Sequence, residues 1–437
     1  MSETTGTNER AFALDREHVF HSWSAQGALN PLVIAKASGC EIFDHEGRRL
    51  LDFSSQLVNT NIGHSHPKVV QAIKDQAETL ATVAPQHAVL VRGEAAKRVL
   101  EKAGPTFSKV FFTNGGADAN ENAIRAARLY TGRNKVLSTY RSYHGNTGSS
   151  IVATGDWRRM PNEYATGHVH FFGPFLYRSE FWSGSEQEES QRALHHLERV
   201  IQSEGPQTIA ALLLETVPGT AGVLVPPAGY LEGVRELCDR YGIVFIADEV
   251  MSGFGRTGHW FAHHAFGVTP DLITFAKGVN SGYVPVGGMV MKAEIADFFD
   301  ATVFPGGLTY SGHPLAMASI IASIDAMDEE GIVDNAREIG EKHLGPGLRE
   351  LQKKHPIIGE VRGMGVFWAL DLVGDPQTKS PLAADHMGRL KSLMIDHGLL
   401  GFIAENRLHV VPPCVVTAEQ VAEGLGILDR VFTELTR

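Results

Sequence analysis

Two stretches of the sequence decide the fold: Ile243-Val-Phe-Ile-Ala-Asp248 and Leu272-Ile-Thr-Phe-Ala-Lys277. Each is a short apolar run without polar–apolar alternation, and each ends on a charged residue. Uniformly apolar runs of this length are typical of strands that are buried on both faces of a parallel sheet. The same pattern predicts three further strands, at Lys109–Thr113, Lys135–Thr139 and Ala210–Leu214.

Helical patterns separate these runs, for example at Asp118–Tyr130 and Leu231–Tyr241. The alternation predicts a mainly parallel sheet with helices on both faces, which binds ligands at the carboxyl ends of its strands. We expect residues 68–320 to form this large α/β domain. Residues 1–67 and 321–437 would together form a small α+β domain, because neither segment alone has enough strands for a closed core.

The composition excludes several classes of partner. The net charge is −11 and the sequence pI is about 6.0, which argues against nucleic acid or an anionic membrane surface as the main partner. The three distant cysteines suggest no disulfide framework, and the polar N-terminus lacks the apolar core of a signal peptide. His259 and His263 are four residues apart, but no HExxH motif occurs, so we expect no metal site. A cytoplasmic protein is expected.

A phosphate site is one interpretation of the stretch Asn114-Gly115-Gly116-Ala117-Asp118. It follows an apolar strand and opens a helix. The glycines allow a close approach of the backbone, and the free N–H groups of a helix start bind anions. A plain glycine-rich turn is the alternative interpretation.

Three side chains follow strands at this same predicted edge. Tyr143, in Tyr143-His144-Gly145, could stack on a flat ring or be an ordinary core tyrosine. Asp248 needs a partner, because an unpaired buried charge is costly; a protonated pyridine nitrogen would serve, and an N-cap role or a structural ion pair is the alternative. Lys277 would be partly desolvated, which lowers the pKa of a lysine and suits it to nucleophilic and proton-transfer chemistry. A surface lysine just past a strand is the alternative.

The stretch Gly253-Phe-Gly255-Arg-Thr-Gly258 matches the GxGxxG pattern of dinucleotide sites. Such a motif should follow its strand at once and open a helix. Here four residues separate it from Asp248, and aromatic-rich sequence follows it. The sequence therefore argues against a nicotinamide site.

Three motifs are, together and in this order, very specific: Asp-Glu-Val…Gly-Phe-Gly-Arg-Thr-Gly (248–258), Pro-Asp-Leu…Ala-Lys-Gly (270–278) and Thr-Tyr-Ser-Gly-His-Pro (309–314). Through them the chain resembles the class III aminotransferases of pyridoxal-5′-phosphate (PLP) fold type I, most closely their ω-amino-acid and amine:pyruvate branch. The resemblance implies a seven-stranded, mainly parallel sheet between helices, a PLP cofactor, and a homodimer with a shared active site. It leaves open whether dimers pair into tetramers.

The resemblance also implies roles for individual residues. Lys277 would hold PLP as a Schiff base and shuttle protons, and Asp248 would pair with the pyridine nitrogen. Tyr143 and Val250 would pack on the two faces of the ring. Thr309 would reach the phosphate in the neighbouring subunit. The full implied set of cofactor contacts is Gly115, Gly116, Ala117, Tyr143, His144, Glu215, Asp248, Val250, Lys277 and Thr309.

Two of these positions depart from the usual pattern of the family. Relatives commonly have a hydroxyl residue at position 117, whereas Ala117 leaves only the backbone donor for a phosphate. Glu215 would lie near the phenolic oxygen of the cofactor, and it is followed by Thr216 where the family more often has proline.

The positions expected to bind the substrate depart further from the usual pattern of the family. Family members commonly place an arginine before the Pro412-Pro413 pair, but His409 stands three residues before it. Arg407 lies on the same face of a predicted strand over 406–411. It is a candidate carboxylate clamp, because arginine binds carboxylates through two parallel hydrogen bonds; an exposed strand arginine is the alternative.

Other pocket positions bear on the size and polarity of the substrate. Amine-specific relatives carry a mobile arginine where this chain has Phe402. Trp23 and Val58 match positions that shape the substrate pocket, and the small Val58 indicates a roomy one.

The resemblance predicts a transaminase that moves an amino group from an ω-amino acid, a taurine-like compound or a primary amine to a 2-oxo acid. Pyruvate is the expected acceptor and 2-oxoglutarate the alternative. An aminomutase or a decarboxylating transaminase would share these motifs. A PLP-fold binding or regulatory subunit and a nicotinamide oxidoreductase are the remaining alternatives.

Overall fold

The computed structural model describes residues 5–162 and 165–436. Its strands form two sheets. In chain order they are β1 Lys36–Ser38, β2 Glu41–Phe43, β3 Arg49–Phe53, β4 Phe107–Thr113, β5 Lys135–Thr139, β6 His168–Phe171, β7 Ile209–Glu215, β8 Val244–Asp248, β9 Leu272–Phe275, β10 Gly287–Lys292, β11 Ile358–Met364, β12 Phe367–Asp375, β13 Ser380–Pro381, β14 Leu399–Ala404 and β15 Arg407–Val410.

Helices connect the strands and cover both sheets. They are α1 Thr5–His18, α2 Ser55–Val58, α3 Pro67–Thr79, α4 Leu90–Ala103, α5 Gly116–Thr131, α6 Gly148–Ala153, α7 Glu186–Glu204, α8 Tyr230–Tyr241, α9 Ala293–Phe298, α10 Pro314–Glu329, α11 Ile332–Ile339, α12 Gly345–Lys354, α13 Ala384–Asp396 and α14 Ala418–Leu435. Within the described part of the chain, no helix combines the length and the apolarity needed to cross a membrane.

The first sheet has seven strands in the order β4-β10-β9-β8-β7-β5-β6. The pairs β9–β8, β8–β7, β7–β5 and β5–β6 are parallel, whereas β10 is antiparallel to both of its neighbours. Side chains of β7 alternate between two apolar layers: Leu212 packs with α7 and α8, and Leu213 packs with α5. The mainly parallel α/β sheet with helices on both faces is therefore confirmed.

The second sheet draws strands from both ends of the chain, in the order β1-β2-β3-β14-β15-β12-β11, with β13 paired to β12. Its N-terminal and C-terminal parts meet where β3 runs parallel to β14, with Leu51 opposite Leu399. One buried cluster contains Phe112 and Phe275 of the first sheet together with Leu370 of the second. The division into residues 68–320 and the two flanking segments stays a prediction.

The GxGxxG stretch lies in a buried loop after β8. Glu249 holds this loop in place through hydrogen bonds. The Glu249 carboxylate is fully buried and accepts hydrogen bonds from the hydroxyls of Thr216 (2.8 Å) and Ser252 (2.6 Å) and from the backbone N–H groups of Ala262 and His263 (2.9 Å each). These bonds and the adjacent His263 outweigh burial and lower the pKa of Glu249 to about 2. The carboxylate thus ties the loop to the end of the sheet.

Replacing Glu249 by glutamine is expected to lower the free energy of unfolding by about 3 kcal/mol at pH 7, because buried donors lose a charged acceptor. Since the folded-state pKa lies below the ordinary value of 4.5, the stabilisation is present above pH 4.5 and is lost as the pH falls toward about 2. Urea unfolding as a function of pH measures both effects. The exposed variant Glu46→Gln is the control; an equal change in the two variants would contradict the assignment.

Candidate active site

Acidic residues and a lysine meet at the carboxyl edge of the seven-stranded sheet. Glu215 ends β7 and Asp248 ends β8, and the two residues are direct partners in the parallel register. Lys277 follows β9 and begins a short 3-10 helix with a φ of 41°, a left-handed conformation that is rare outside glycine. Backbone strain of this kind is concentrated at functional sites.

A cavity of about 600 Å³ opens at this edge. Lys277 and Tyr143 lie in its wall, and three arginines contribute cationic groups to it. Its lining residues are Trp23, Leu57, Arg141, Ser142, Tyr143, Gly155, Asp156, Trp157, Arg158, Thr220, Ala221, Met251, Lys277, Phe402, Ile403, Ala404, Glu405 and Arg407. The volume is of the size that small-molecule sites have in other proteins.

Burial lowers the pKa of Lys277, as the sequence predicts for a lysine at a strand end. The negative charges of Asp248 and Glu215 act in the opposite direction, and the positive charge of Arg158 adds to the lowering. A lysine in such surroundings has a larger fraction of neutral amine at physiological pH, which is the form that attacks carbonyl groups and removes protons.

Asp248 is buried and held by three donors. Its Oδ2 accepts hydrogen bonds from His144 Nδ1 (2.7 Å) and Asn120 Nδ2 (2.8 Å), and its Oδ1 accepts one from the backbone N–H of Val250 (3.0 Å). A carboxylate offers about four acceptor positions, so about one remains on Oδ1. Asn120 is fixed in turn by the Thr274 hydroxyl, which donates to Asn120 Oδ1 at 2.7 Å.

His144 therefore lies behind Asp248 and contacts its carboxylate. Its ring is buried, and its Nε2 has no hydrogen-bond partner within the described ranges. The backbone carbonyl of His144 accepts from Asn120 Nδ2 at 2.7 Å, which ties the Tyr143-His144-Gly145 turn to the same network.

Glu215 joins two loops of the site. Its Oε1 accepts from the backbone N–H of Tyr143 and its Oε2 from that of Gly219, both at 2.8 Å. Burial raises the pKa of Glu215, the neighbouring Asp248 adds to the rise, and the nearby His144 opposes it. Glu215 thus sets the position of the Tyr143 backbone beside the cavity.

The ring of Tyr143 is part of an aromatic and cationic wall. The Arg158 guanidinium lies 3.8 Å from the ring centroid of Tyr143, and Trp23 meets the same ring edge-on at 6.4 Å. Arg158 is held by Asp156, with Nε donating to Oδ1 at 3.0 Å. This wall combines a flat apolar surface with a positive charge.

The anion site predicted at the start of α5 stays a prediction, and the local backbone bears on it. The helix begins at Gly116, and the N–H groups of a first helical turn have no partner within the helix. A Cβ on Gly116 would stand 2.8 Å from Val250 Cγ1, so Val250 packs directly on the glycine. Gly145 has a φ of 136°, and a Cβ there would stand 2.5 Å from the Ala117 Cβ. Both glycines are required by close packing around the helix start.

These groups fit a pyridoxal phosphate. The free acceptor position on Asp248 suits a protonated ring nitrogen, the desolvated Lys277 amine suits an aldehyde, and the helix start with Gly116 and Ala117 suits a phosphate. Thr309 is exposed and does not line the cavity. Its contact with the phosphate of a neighbouring subunit stays a prediction.

The structure brings only some of the predicted substrate residues to the cavity. Trp23 and Arg407 line it. Val58 is buried in a cluster with Phe367 and Ala369 of β12, and its neighbour Leu57 lines the cavity instead. His409 is fully buried, its Nε2 lies 2.9 Å from the Gly219 carbonyl, and burial lowers its pKa to about 3, which keeps the ring uncharged.

Several cavity residues were missed by the sequence analysis, notably Arg141, Arg158 and Glu405. Arg141 pairs with Glu180, and Arg158 with Asp156. All three lie in connecting segments without hydrophobic periodicity, so no sequence pattern marks them. Asn120 was also missed as a partner of Asp248, although its position in the first turns of α5 follows from the glycine motif.

Comparisons with known proteins agree with this geometry. The family model "Aminotransferase class-III" matches residues 23–432. The chain is 35% identical to the 5-aminovalerate aminotransferase DavT of Pseudomonas aeruginosa, over 94% of this chain and 95% of the relative. It is 32% identical to the taurine–pyruvate aminotransferase of Bilophila wadsworthia, over 96% of each chain. A solved structure of the taurine:2-oxoglutarate aminotransferase from Bifidobacterium kashiwanohense, in complex with PLP and glutamate, matches with 43% identity, a TM-score of 0.94 and 98% of each chain covered.

Proposed function

The chain belongs to the class III aminotransferases and uses PLP, and on this premise we propose that it takes the amino group of a donor with an anionic far end. Such donors are ω-amino acids and taurine-like compounds; primary amines without an anionic group would be poorer donors. The observation that carries the proposal is the half-buried Arg407 in the cavity wall, accompanied by Arg141 and Arg158. Cationic groups in a desolvated site bind carboxylates and sulfonates strongly.

When bound, PLP supplies an electron sink that stabilises the charge left on the donor carbon once its proton is removed. In this proposal Lys277 holds the cofactor, removes that proton and returns a proton on the acceptor side, for which its lowered pKa suits it. Asp248 holds the proton on the ring nitrogen. Tyr143 and Val250 keep the ring in place.

Binding and orientation complete the reaction. Gly116 and Ala117 would hold the phosphate through backbone N–H groups, and the partner's Thr309 would add a hydroxyl in a homodimer. Trp23 and Leu57 add apolar surface to the cavity wall. A cytoplasmic location is part of the same proposal.

Pyruvate is the proposed acceptor. The second candidate is 2-oxoglutarate, because the solved structure with 43% identity is named as a taurine:2-oxoglutarate aminotransferase, whereas the 32% identical relative is named as a pyruvate enzyme. The two acceptors give different amino acid products, alanine and glutamate, which makes them easy to distinguish.

The test is a substrate panel with the PLP-loaded protein. Taurine, 5-aminovalerate and n-butylamine are each combined with pyruvate or 2-oxoglutarate, and amino acid and carbon dioxide are quantified. We expect alanine from at least one anionic donor, with kcat/KM at least about tenfold above that of n-butylamine, and no carbon dioxide. Absence of any amino acid product, or preference for n-butylamine, would contradict the proposal; carbon dioxide release would favour a decarboxylating transaminase.

Substituting glutamine for Arg407 is expected to raise KM for an anionic donor by about 10- to 100-fold, which corresponds to the loss of a charge-assisted hydrogen bond. The KM of n-butylamine should change far less, because it has no anionic end. Steady-state kinetics on both donors measures the difference. The exposed Arg430→Gln variant is the matched control; equal changes in KM for both donors would show that Arg407 does not bind the anion.

A further inference from the structure

His409 lies in β15 and is fully buried, behind the wall of the cavity and not in it. The centroid of its ring lies 4.9 Å from that of Phe402, which does line the cavity. Burial lowers the pKa of His409 to about 3, so the ring is neutral at physiological pH and carries one N–H group. A buried N–H without an acceptor is costly, so this one has to be paired.

The acceptor is the backbone carbonyl of Gly219, whose oxygen lies 2.9 Å from His409 Nε2. Because a carbonyl oxygen only accepts, Nε2 is the nitrogen that carries the proton. The same oxygen accepts from the backbone N–H groups of Gly222 (2.8 Å) and Val223 (3.1 Å). The imidazole therefore ties a strand of the second sheet to the turn at 219–223, which follows β7 of the first sheet.

This turn is part of the cavity wall. Thr220 and Ala221 line the cavity. A Cβ on Gly219 would collide with Met251 Sδ, so the turn packs closely on another residue of the same wall. The N–H of Gly219 donates to Glu215 Oε2 at 2.8 Å. One residue of the turn thus binds the histidine through its C=O and the glutamate through its N–H.

Glu215 passes the position of the turn on to Tyr143. Its other oxygen, Oε1, accepts from the backbone N–H of Tyr143 at 2.8 Å. Since burial raises the pKa of Glu215, the charge on this carboxylate depends on its N–H donors. A turn that opens at Gly219 would weaken one of these bonds and loosen the residue that carries the Tyr143 ring.

We propose that His409 is a positioning residue that fixes the turn at 219–223 and, through Glu215, the Tyr143 ring beside the cofactor. Its imidazole contacts neither cofactor nor substrate in this role. It supplies one neutral N–H group from the second sheet, which holds the two sheets in a fixed relation at the cavity. The inference goes beyond the proposed donor class and does not depend on it.

Backbone hydrogen exchange, measured by mass spectrometry on the PLP-free protein, tests the hold on the turn. His409→Leu removes the N–H group, whereas His409→Gln keeps one at about the reach of Nε2. We expect exchange in peptides covering 216–224 to be about tenfold faster in His409→Leu, the effect of one lost buried hydrogen bond, and close to that of the unsubstituted protein in His409→Gln.

The matched control is His355→Leu. His355 is a second buried histidine, and its Nε2 lies 2.7 Å from Asp429 Oδ1, away from the turn. Its substitution should lower the melting temperature and leave exchange at 216–224 unchanged. If His409→Leu does not fold, His409→Asn takes its place with the same expected result, because its shorter amide does not reach Gly219.

The Kd of PLP, measured by fluorescence titration, tests the link to the cofactor. We expect His409→Leu to raise this Kd about tenfold and His409→Gln to raise it far less. In a Glu215→Gln background, His409→Leu should change the Kd far less, because the connection is already weakened at Glu215.

The proposal would be overturned by unchanged exchange in His409→Leu, by faster exchange without a change in the Kd of PLP, or by equal effects of the leucine and glutamine variants. The same rise in Kd in both backgrounds, or in His355→Leu, would overturn it as well. If exchange and Kd change as expected but no anionic donor is turned over, the positioning role stands and the proposed donor class fails.

Discussion

Replacing Lys277 by alanine is expected to lower kcat/KM by at least about a thousandfold, a loss of about 4 kcal/mol in transition-state stabilisation. The reason is that one side chain is assigned both cofactor attachment and proton transfer. It is the lysine that lines the cavity, burial lowers its pKa, and its backbone is held in a left-handed conformation beside Asp248.

Two controls separate this effect from misfolding. Lys109→Ala removes an exposed lysine from β4 of the same sheet and should leave kcat/KM unchanged. The urea midpoint of Lys277→Ala should stay at or above that of the unsubstituted protein, because a desolvated lysine does not stabilise the fold. Turnover of the Lys277→Ala variant within tenfold of the unsubstituted protein would refute the assignment.

The second large effect is expected for Asp248→Asn. An asparagine has only one acceptor oxygen, so its amide nitrogen must face either the donors His144 Nδ1 and Asn120 Nδ2 or the cofactor nitrogen. We expect kcat to fall about a thousandfold, within the range for a lost proton-holding group. The Kd of PLP should rise as well, since the charge that pairs with the ring nitrogen is gone.

The matched control for this variant is Asp271→Asn. Asp271 is another buried acid, directly before β9, and it pairs with Arg235 Nη1 at 2.8 Å and Lys292 Nζ at 2.7 Å, away from the cavity. Its substitution should lower the free energy of unfolding but leave the kcat of the folded, PLP-loaded protein unchanged. Fluorescence titration with PLP and steady-state kinetics on both variants provide the comparison. Equal losses of kcat would show that Asp248 acts only through stability.

The strands that lead to the site residues were predictable, because burial on both faces of a sheet requires a uniformly apolar run of residues. β7 and β8 are apolar up to the acid that ends each strand, and β9 is apolar apart from Thr274 and is followed closely by Lys277 at the same sheet edge. β10 was not predicted, because it begins with Gly-Gly and its mixed composition shows neither the residue period of a strand nor that of a helix. Its antiparallel direction depends on pairing with β4 and β9, which only the tertiary structure supplies.

The cavity wall was less predictable. Ser55, Gln56 and Val58 all have positive φ, and none is a glycine. The turn therefore leaves no mark in the sequence, and it places Leu57 in the cavity and Val58 in the core. Arg158 reaches the Tyr143 ring from a connecting segment that lies 15 residues further along the chain (158 − 143). Such contacts arise from packing between loops, so residue periodicity gives no sign of them.

The central claim is that Lys277 is the residue that carries the cofactor. The most direct measurement is reduction of the PLP-loaded protein with borohydride, followed by proteolysis and mass spectrometry of the peptides. We expect a PLP-derived mass on the peptide that contains Lys277 and its absence in the Lys277→Ala variant. A modification confined to another lysine, or no modification of the loaded protein at all, would contradict it.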